Sequence, residues 1–294
     1  MSRRALLLFL ALGVLWGIPY LLIKYAIVSF SPVGLVFGRT LIGGLVLLPL
    51  ALRQRAFAPL RAKWKPFLTY TVAEIAVPWL ALSDAERVID SGLAALLIAG
   101  VPVVGVVLAL ATGRSERFGP IGALGLALGL LGVAVLVGAE ASAPSGAGSA
   151  VALAQMAFVV LGYATGPMII ARWLHDVPSS GVIVGSLLLV AVGSAPWALA
   201  GWPAHIESSA AASVVLLALL CTALAFVLLF ALVAEVGAVR ATVITYLNPA
   251  VAVAAGVVFL REPFTLTTVV GFVAIVAGSY LAQRRPPVTA PQPG

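Results

Sequence analysis

Glu74 lies inside an otherwise apolar run that starts near Pro66 and ends near Asp84. Counted along a helix at about 1.5 Å per residue, it stands about 12 Å into that run, near the middle of a hydrocarbon layer about 30 Å thick. A charge at that depth costs on the order of 3 kcal/mol unless it faces a cavity or a partner. Two roles suit it: binding a substrate ammonium or carrying a proton, or standing as a buried carboxyl that is tied to a neighbour or kept protonated. Arg39 is the second charge of this kind, about 10 Å below the opposite surface, which leaves Glu74 roughly 8 Å deeper. An ion pair or bonds to backbone carbonyls would explain Arg39 structurally; a substrate carboxylate is the functional alternative. Lys24, near a helix end, is the other candidate charge partner.

Aromatic groups with polar tips recur at helical spacing in several of the apolar runs. Gly13, Trp16, Gly17, Tyr20 and Lys24 are spaced by three or four residues and so share one helix face. Comparable runs are Gln155, Val159, Tyr163 and Pro167, and Thr242, Thr245, Tyr246 and Pro249. Such stripes serve helix packing, with small residues at the contact, and they also suit an aromatic ligand. Trp16, Tyr20, Glu74, Trp79, Tyr163, Phe226 and Tyr246 are therefore the candidate substrate-binding residues. Pro102 and Pro249 interrupt helical runs and free backbone carbonyls, as hinges or as fixed kinks.

Other chemistries find little to work with. An intramembrane enzyme using Glu74 as acid or base would need a second convergent group, and the sequence offers Arg39, Lys24 and scattered hydroxyls. His175 and His205 stand alone, without the spacing of a metal site. No Walker sequence or nucleophile elbow occurs, so ATP-driven transport and that hydrolase class are unsupported, and no cofactor is called for. The glycines at 122, 125, 129 and 132 follow no strand and lie in an apolar run, which points to close helix packing. Cys221 is the sole cysteine, so no intrachain disulfide can form.

The elements that position these residues are set by composition. Hydrophobic residues make up 62% of the chain and charged ones only 9%, far below the quarter of a soluble domain, and mean hydropathy is +1.16. An all-α integral membrane protein is expected, with the lipid bilayer as its solvent. Apolar runs occur at about 5–25, 32–52, 66–84, 90–111, 119–138, 149–171, 180–200, 212–234, 238–260 and 266–283, which predicts ten transmembrane helices. The first, after Ser2-Arg3-Arg4, is too long for the apolar core of a signal peptide and is read as an uncleaved helix. Trp64, Trp173 and Trp202 fall at helix ends, where interfacial anchors sit.

The net charge of +7 is carried by short loops, so it reads as a topology signal and not as a nucleic-acid footprint. With the N-terminus inside, one face takes Arg3, Arg4, Arg53, Arg55, Arg61, Lys63, Lys65, Arg114, Arg117, Arg172, Arg240, Arg284 and Arg285. The other takes only Lys24, Arg87 and Arg261. Both termini are therefore expected in the cytoplasm of a bacterial-type plasma (inner) membrane. Monomer and homodimer both stay open.

Self-similarity appears at an offset of about 147 residues. Gly34, Gly38 and Pro49-Leu50-Ala51-Leu52 match Gly181, Gly185 and Pro196-Trp197-Ala198-Leu199. Pro102 matches Pro249, Glu116-Arg117-Phe118 matches Glu262-Pro263-Phe264 after a one-residue gap, and Gly125 and Gly132 match Gly271 and Gly278. Five helices per unit is an odd number, so the second copy enters the membrane from the other side and the repeats are inverted. The expected organisation is a first repeat at 1–140, a Gly/Ser/Ala-rich linker at 141–148, a second repeat at 149–283 and a Pro-rich disordered cytoplasmic tail at 284–294. Repeated residues read as scaffold, and unrepeated polar ones such as Glu74, whose equivalent falls near the apolar Ala223, as candidates for the site.

Trp16-Gly17, the stretch from Gly92 to Pro102 leading to Ser115-Glu116-Arg117-Phe118, and the stretch from Thr242 to Pro249 leading to Arg261-Glu262-Pro263-Phe264 resemble the EamA family of the drug/metabolite transporter superfamily. The likeness spans residues 5–283. Within the family the chain is similar to YddG-type exporters of aromatic amino acids and paraquat. The resemblance implies a basket of helices 1–4 and 6–9 around a central cavity, with helices 5 and 10 as support. It also implies export of small amphipathic metabolites, chiefly aromatic amino acids and also aromatic cations, by alternating access. Ser115 and Arg117 depart from the pattern of Arg261 and Pro263, so the first copy of the Glu motif is degenerate.

Overall fold

The computed structural model describes residues 2–112, 119–142, 147–237 and 242–282, and among them every regular element is a helix. The helical runs are α1 (Arg3–Ala26), α2 (Pro32–Arg53), α3 (64–85), α4 (Ser91–Ala111), α5 (Pro120–Ala141), α6 (Gly148–Leu174), α7 (Ser179–Ala200), α8 (Ser208–Val236), α9 (Ile244–Leu260) and α10 (Leu266–Ala282). A short helix, Ala58–Ala62, lies between α2 and α3. Seven of them, α1, α2 and α4 to α8, are long and apolar enough to cross a membrane. Their outward faces carry side chains that water would not hold in such number, among them Leu7 at 68% and Val192 at 73% exposure.

Local chemistry sets the ends and breaks. Ser2 and Ser31 cap α1 and α2 by accepting from the backbone N–H groups of Ala5 (3.0 Å) and Gly34 (3.1 Å). Pro19 interrupts α1 at Ile18, and α4 breaks at 99–100, just before Pro102. The carbonyl of Ala99 at that break accepts from the Ser279 hydroxyl of α10 (3.4 Å). In α9 a 3₁₀ turn, Thr242–Tyr246, gives way to α-helix at Leu247, two residues before Pro249. α5 extends to Ala141 and α6 begins among the alanines near 147, so the ends of the expected linker are helical. Residues 143–146, the Glu116-Arg117-Phe118 copy of the Glu motif and the tail from 283 onward lie outside the described residues.

Packing follows a pattern that survives exchange of the two halves. α2 packs on α7, α4 on α9 and α5 on α10, while α3 packs on α6 and α8 on α1. The α5–α10 contact brings backbones together through the glycines: a Cβ on Gly278 would lie 2.6 Å from Cα of Gly129, and one on Gly125 the same distance from Cβ of Leu281. The stripe on α1 faces α9, where a Cβ on Gly13 would meet the Leu247 side chain and one on Gly17 would meet Val251 and the Asn248 carbonyl. A single large core, with Ile75, Trp79, Leu96, Met156, Leu187 and Leu217 among its members, fills the interior between α1–α4 and α6–α8.

Candidate functional site

Pro78 decides the local shape of α3. It has no N–H for the carbonyl of Glu74, four residues back, and the preceding Thr71–Ala76 widens into a π-helical turn. The swollen turn is received by glycines of α6: a Cβ on Gly162 would lie 2.7 Å from Cγ of Pro78, and one on Gly166 would lie 2.7 Å from Cδ of Glu74. Glu74 thus presses its carboxylate against bare α6 backbone. Its Oε2 is buried without a hydrogen-bond partner. The phenols of Tyr70 and Tyr163 stand close enough to feel its charge. Beside it, the Thr71 and Ser186 hydroxyls share a hydrogen bond of 2.7 Å between α3 and α7.

Arg39 enters the same interior from α2. Its Nε donates to Oγ1 of Thr222 (2.9 Å), and its Cζ lies 3.7 Å from the centroid of the Trp79 ring, a cation–π contact. Thr222 can accept because its own hydroxyl is turned to the Leu217 carbonyl, which it donates to at 2.9 Å. Gly43 leaves room for this: a Cβ there would lie 2.9 Å from Cγ2 of Thr222. Arg39 is only 7% exposed, and among the described residues no carboxylate is within ion-pair distance of it. Among the described residues Arg39 makes neither an ion pair nor a bond to a backbone carbonyl; its hydrogen bond goes to the Thr222 hydroxyl. Among the described residues the guanidinium is buried and stacked on Trp79, with Glu86 in electrostatic reach but no carboxylate bonded to it.

Thr222 sits in another π-helical turn, Leu219–Leu224 of α8, one of four among the described residues. Laid over Thr71–Ala76, that turn sets Thr222 opposite Glu74, one residue before Ala223. The two halves thus place a carboxylate and a hydroxyl at equivalent points, and Arg39 is bonded to the hydroxyl.

Of the sequence-derived candidates, Tyr20, Arg39, Glu74, Trp79 and Tyr163 fall into one neighbourhood, with Cys221 within electrostatic reach of Arg39. Trp16 and Phe226 form a separate edge-to-face pair between α1 and α8, centroids 6.1 Å apart, and Phe226 stacks on Phe230 at 6.3 Å. Tyr246 is half-buried in the 3₁₀ turn of α9. Lys24 belongs elsewhere: its ammonium donates to the Ile89 carbonyl (2.7 Å) at the far ends of α1 and α3. Trp64, Trp173 and Trp202 are exposed at helix ends, Trp202 edge-on to Phe30 and Phe37.

Sequence reasoning missed Thr222 and Gly166, because a lone threonine or glycine in an apolar helix carries no charge signal. The Glu262 motif was visible, but its task was not. Both carboxylate oxygens accept backbone N–H groups at the start of α4, from Ser91 (2.7 Å) and Gly92 (2.9 Å), so a residue of the second half caps a helix of the first.

The profile of the EamA-like transporter family matches residues 3–138 and again residues 150–283. The chain belongs to the EamA-like transporter family. YvbV of Bacillus subtilis (strain 168), described as an uncharacterized transporter, is 28% identical over 293 residues, covering 97% of this chain and 93% of its own length. An uncharacterized transporter of Archaeoglobus fulgidus is 24% identical over 275 residues, covering 92% and 95%. One solved crystal structure superposes with a TM-score of 0.68 over 96% of this chain and 98% of its own, at 22% identity, a likeness of fold. With its long apolar helices, this EamA protein is a multi-pass membrane protein, and its relatives point to transport and not to catalysis.

Proposed function

We propose that this EamA protein is a secondary transporter exporting small amphipathic metabolites, foremost aromatic amino acids of the YddG kind and also aromatic cations, by alternating access. In this reading the ten helices form two inverted five-helix repeats, 1–140 and 149–283, joined by the 141–148 linker. Both termini lie in the cytoplasm, and the membrane is a bacterial-type plasma membrane. The symmetric pairing of helices under exchange of the halves supports the repeat, and the lysine and arginine bias supports the orientation.

The observation that carries the reading is the buried Arg39, which has no carboxylate bonded to it among the described residues. A buried guanidinium without a carboxylate is costly, and a substrate carboxylate would supply what the fold withholds. Trp79, Tyr20 and Tyr163 offer ring faces for an aromatic side chain, and Glu74 offers a counter-charge for an ammonium. Trp16, Phe226 and Tyr246 extend the aromatic lining, and Pro102 and Pro249 are the hinges on which α4 and α9 bend.

Proteoliposomes loaded with unlabelled tryptophan or phenylalanine should take up the labelled amino acid by counterflow. A run with and without a pH gradient separates proton exchange from facilitated diffusion. Glu74→Gln is expected to insert normally and to transport more slowly or with an altered pH profile. Absence of flux for every tested metabolite, together with product formation, would point to an intramembrane enzyme. Unchanged Glu74→Gln kinetics across pH would remove that residue from the mechanism.

A further inference from the structure

Glu86, which follows α3 directly, is the most thoroughly buried charge-bearing side chain described. It is 0% exposed, and both carboxylate oxygens lack a hydrogen-bond partner. It lies where the ends of α1 and α3 meet the start of α4 and the end of α9. The charged and titratable groups facing it are Lys24 and Tyr20 of α1, Arg39 of α2, Tyr163 of α6 and Glu262 after α9. None of them bonds it. Lys24 is held by the Ile89 carbonyl, Glu262 by the Ser91 and Gly92 amides, and Arg39 by Thr222. Asp90 stands within reach of Lys24 and Glu262, and on Glu86's own side Asp84 is taken by Gln155 of α6 (2.7 Å) and Arg87 (3.4 Å).

A second polar group is stranded at this junction. The Ser91 hydroxyl is buried without a partner, and a Cβ on Gly256 would lie 2.9 Å from it and 3.0 Å from Cδ of Glu262. An ionised carboxylate cannot rest unbonded in such a place. A metal cation is disfavoured there by the Lys24 ammonium, whereas a proton needs no coordination shell.

We propose that Glu86 is a proton-binding site that latches this end of the helix bundle, the end away from the cytoplasm, in its closed form. With the proton bound, the carboxyl is neutral and tolerates the dry junction. Loss of that proton to water leaves a carboxylate that must be hydrated or paired with Lys24. Either change parts the ends of α1 and α3. Burial pushes the carboxyl well above its ordinary range, with Lys24 opposing the shift and Glu262 adding to it. The open form, with Glu86 in water, has an ordinary carboxylate value of about 4.3. The closed form therefore binds the proton more tightly, is favoured at low pH and is lost as pH rises through the interval between the two values.

The inference rests on the transport reading for its assignment of this end as the outer one. Its test needs no transport. Ser83, buried one turn before Glu86, is replaced as Ser83→Cys in a chain carrying Cys221→Ala, and sealed proteoliposomes are treated with a membrane-impermeant maleimide. Labelling rates are divided by those of Val28→Cys, an exposed site at the same end, to remove the thiol's own pH response. Between about pH 5 and 8, above the ordinary carboxylate range, the normalised rate should rise by up to about tenfold per unit, the slope of one proton. In Glu86→Gln it should stay low and flat. Should that variant fail to fold, Lys24→Met serves, since loss of the opposing cation should move the transition to higher pH. A flat profile with Glu86 present, or an unchanged rise in Glu86→Gln or Lys24→Met, would overturn the latch. Wild-type vesicles that exchange no substrate would defeat the transport reading and leave the labelling result to be judged separately.

Discussion

In the proposed reading, Arg39 is the residue on which function and fold compete. Its Nε is committed to Thr222 and its flat face to Trp79, an arrangement that a lysine ammonium cannot reproduce. Arg39→Lys is expected to raise the KM for an aromatic amino acid by about tenfold or more, equivalent to about 1.4 kcal/mol, with normal expression in the membrane. The same variant should discriminate less between the amino acid and its decarboxylated amine, as competition in counterflow would report. Equal competition by acid and amine in the wild type would remove Arg39 from carboxylate recognition. Gly166 matters through what it lacks. Gly166→Ala places a methyl group on the Glu74 carboxylate, and overpacking of this kind costs about 1–3 kcal/mol. In thermal unfolding that loss should shrink by about 1 kcal/mol when Glu74→Ala is also present. Glu74 and Arg39 were legible in the sequence because a charge in an apolar run is expensive wherever it sits. Thr222, Gly166 and Glu86 were not: a hydroxyl can satisfy itself on its own helix, a glycine shows only what is missing, and Glu86 looked like the start of a loop.

At the scale of elements, the glycines of α5 and α10 form the tightest seam. Gly278→Ala would set a Cβ 2.6 Å from Cα of Gly129, and backbone cannot step aside as a side chain can. A loss of about 1–3 kcal/mol is expected, read as a lower melting temperature in detergent. Gly105, around which a Cβ would meet nothing, should tolerate alanine with little change. A Gly278→Ala protein as stable as the wild type would contradict the seam. The seam was foreseeable, because glycines spaced by three, four and three residues share a helix face. The π-helical turns were not foreseeable, since one inserted residue barely alters an apolar pattern. Only Pro78 hinted at the turn over Thr71–Ala76, and nothing near Leu219–Leu224 announced the turn there. Glu262 lies between these cases: its repetition marked it as scaffold, but the helix it caps is remote in sequence. Glu262→Gln keeps a single acceptor oxygen for two N–H groups and should cost about 0.5–2 kcal/mol of stability.

At the scale of the whole molecule, composition alone announced the membrane, because so few charged residues cannot clothe a water-facing surface. The repeat was visible as an ordered series of weak matches, and the helix pairings keep their pattern when the halves are exchanged. In the proposed reading the halves enter the membrane from opposite sides, as five membrane crossings per unit would require. Symmetry of this kind would let the Arg39 neighbourhood face one side and then the other while the same contacts re-form in mirror roles. Val28, after α1, and His175, after α6, are 147 positions apart and both exposed, so they report equivalent ends of the two halves. In sealed, right-side-out vesicles of a Cys221→Ala chain, an impermeant maleimide should label Val28→Cys from outside, and His175→Cys only after permeabilisation. Labelling of both from the same side of an intact membrane would contradict the inverted arrangement and the alternating-access mechanism built on it.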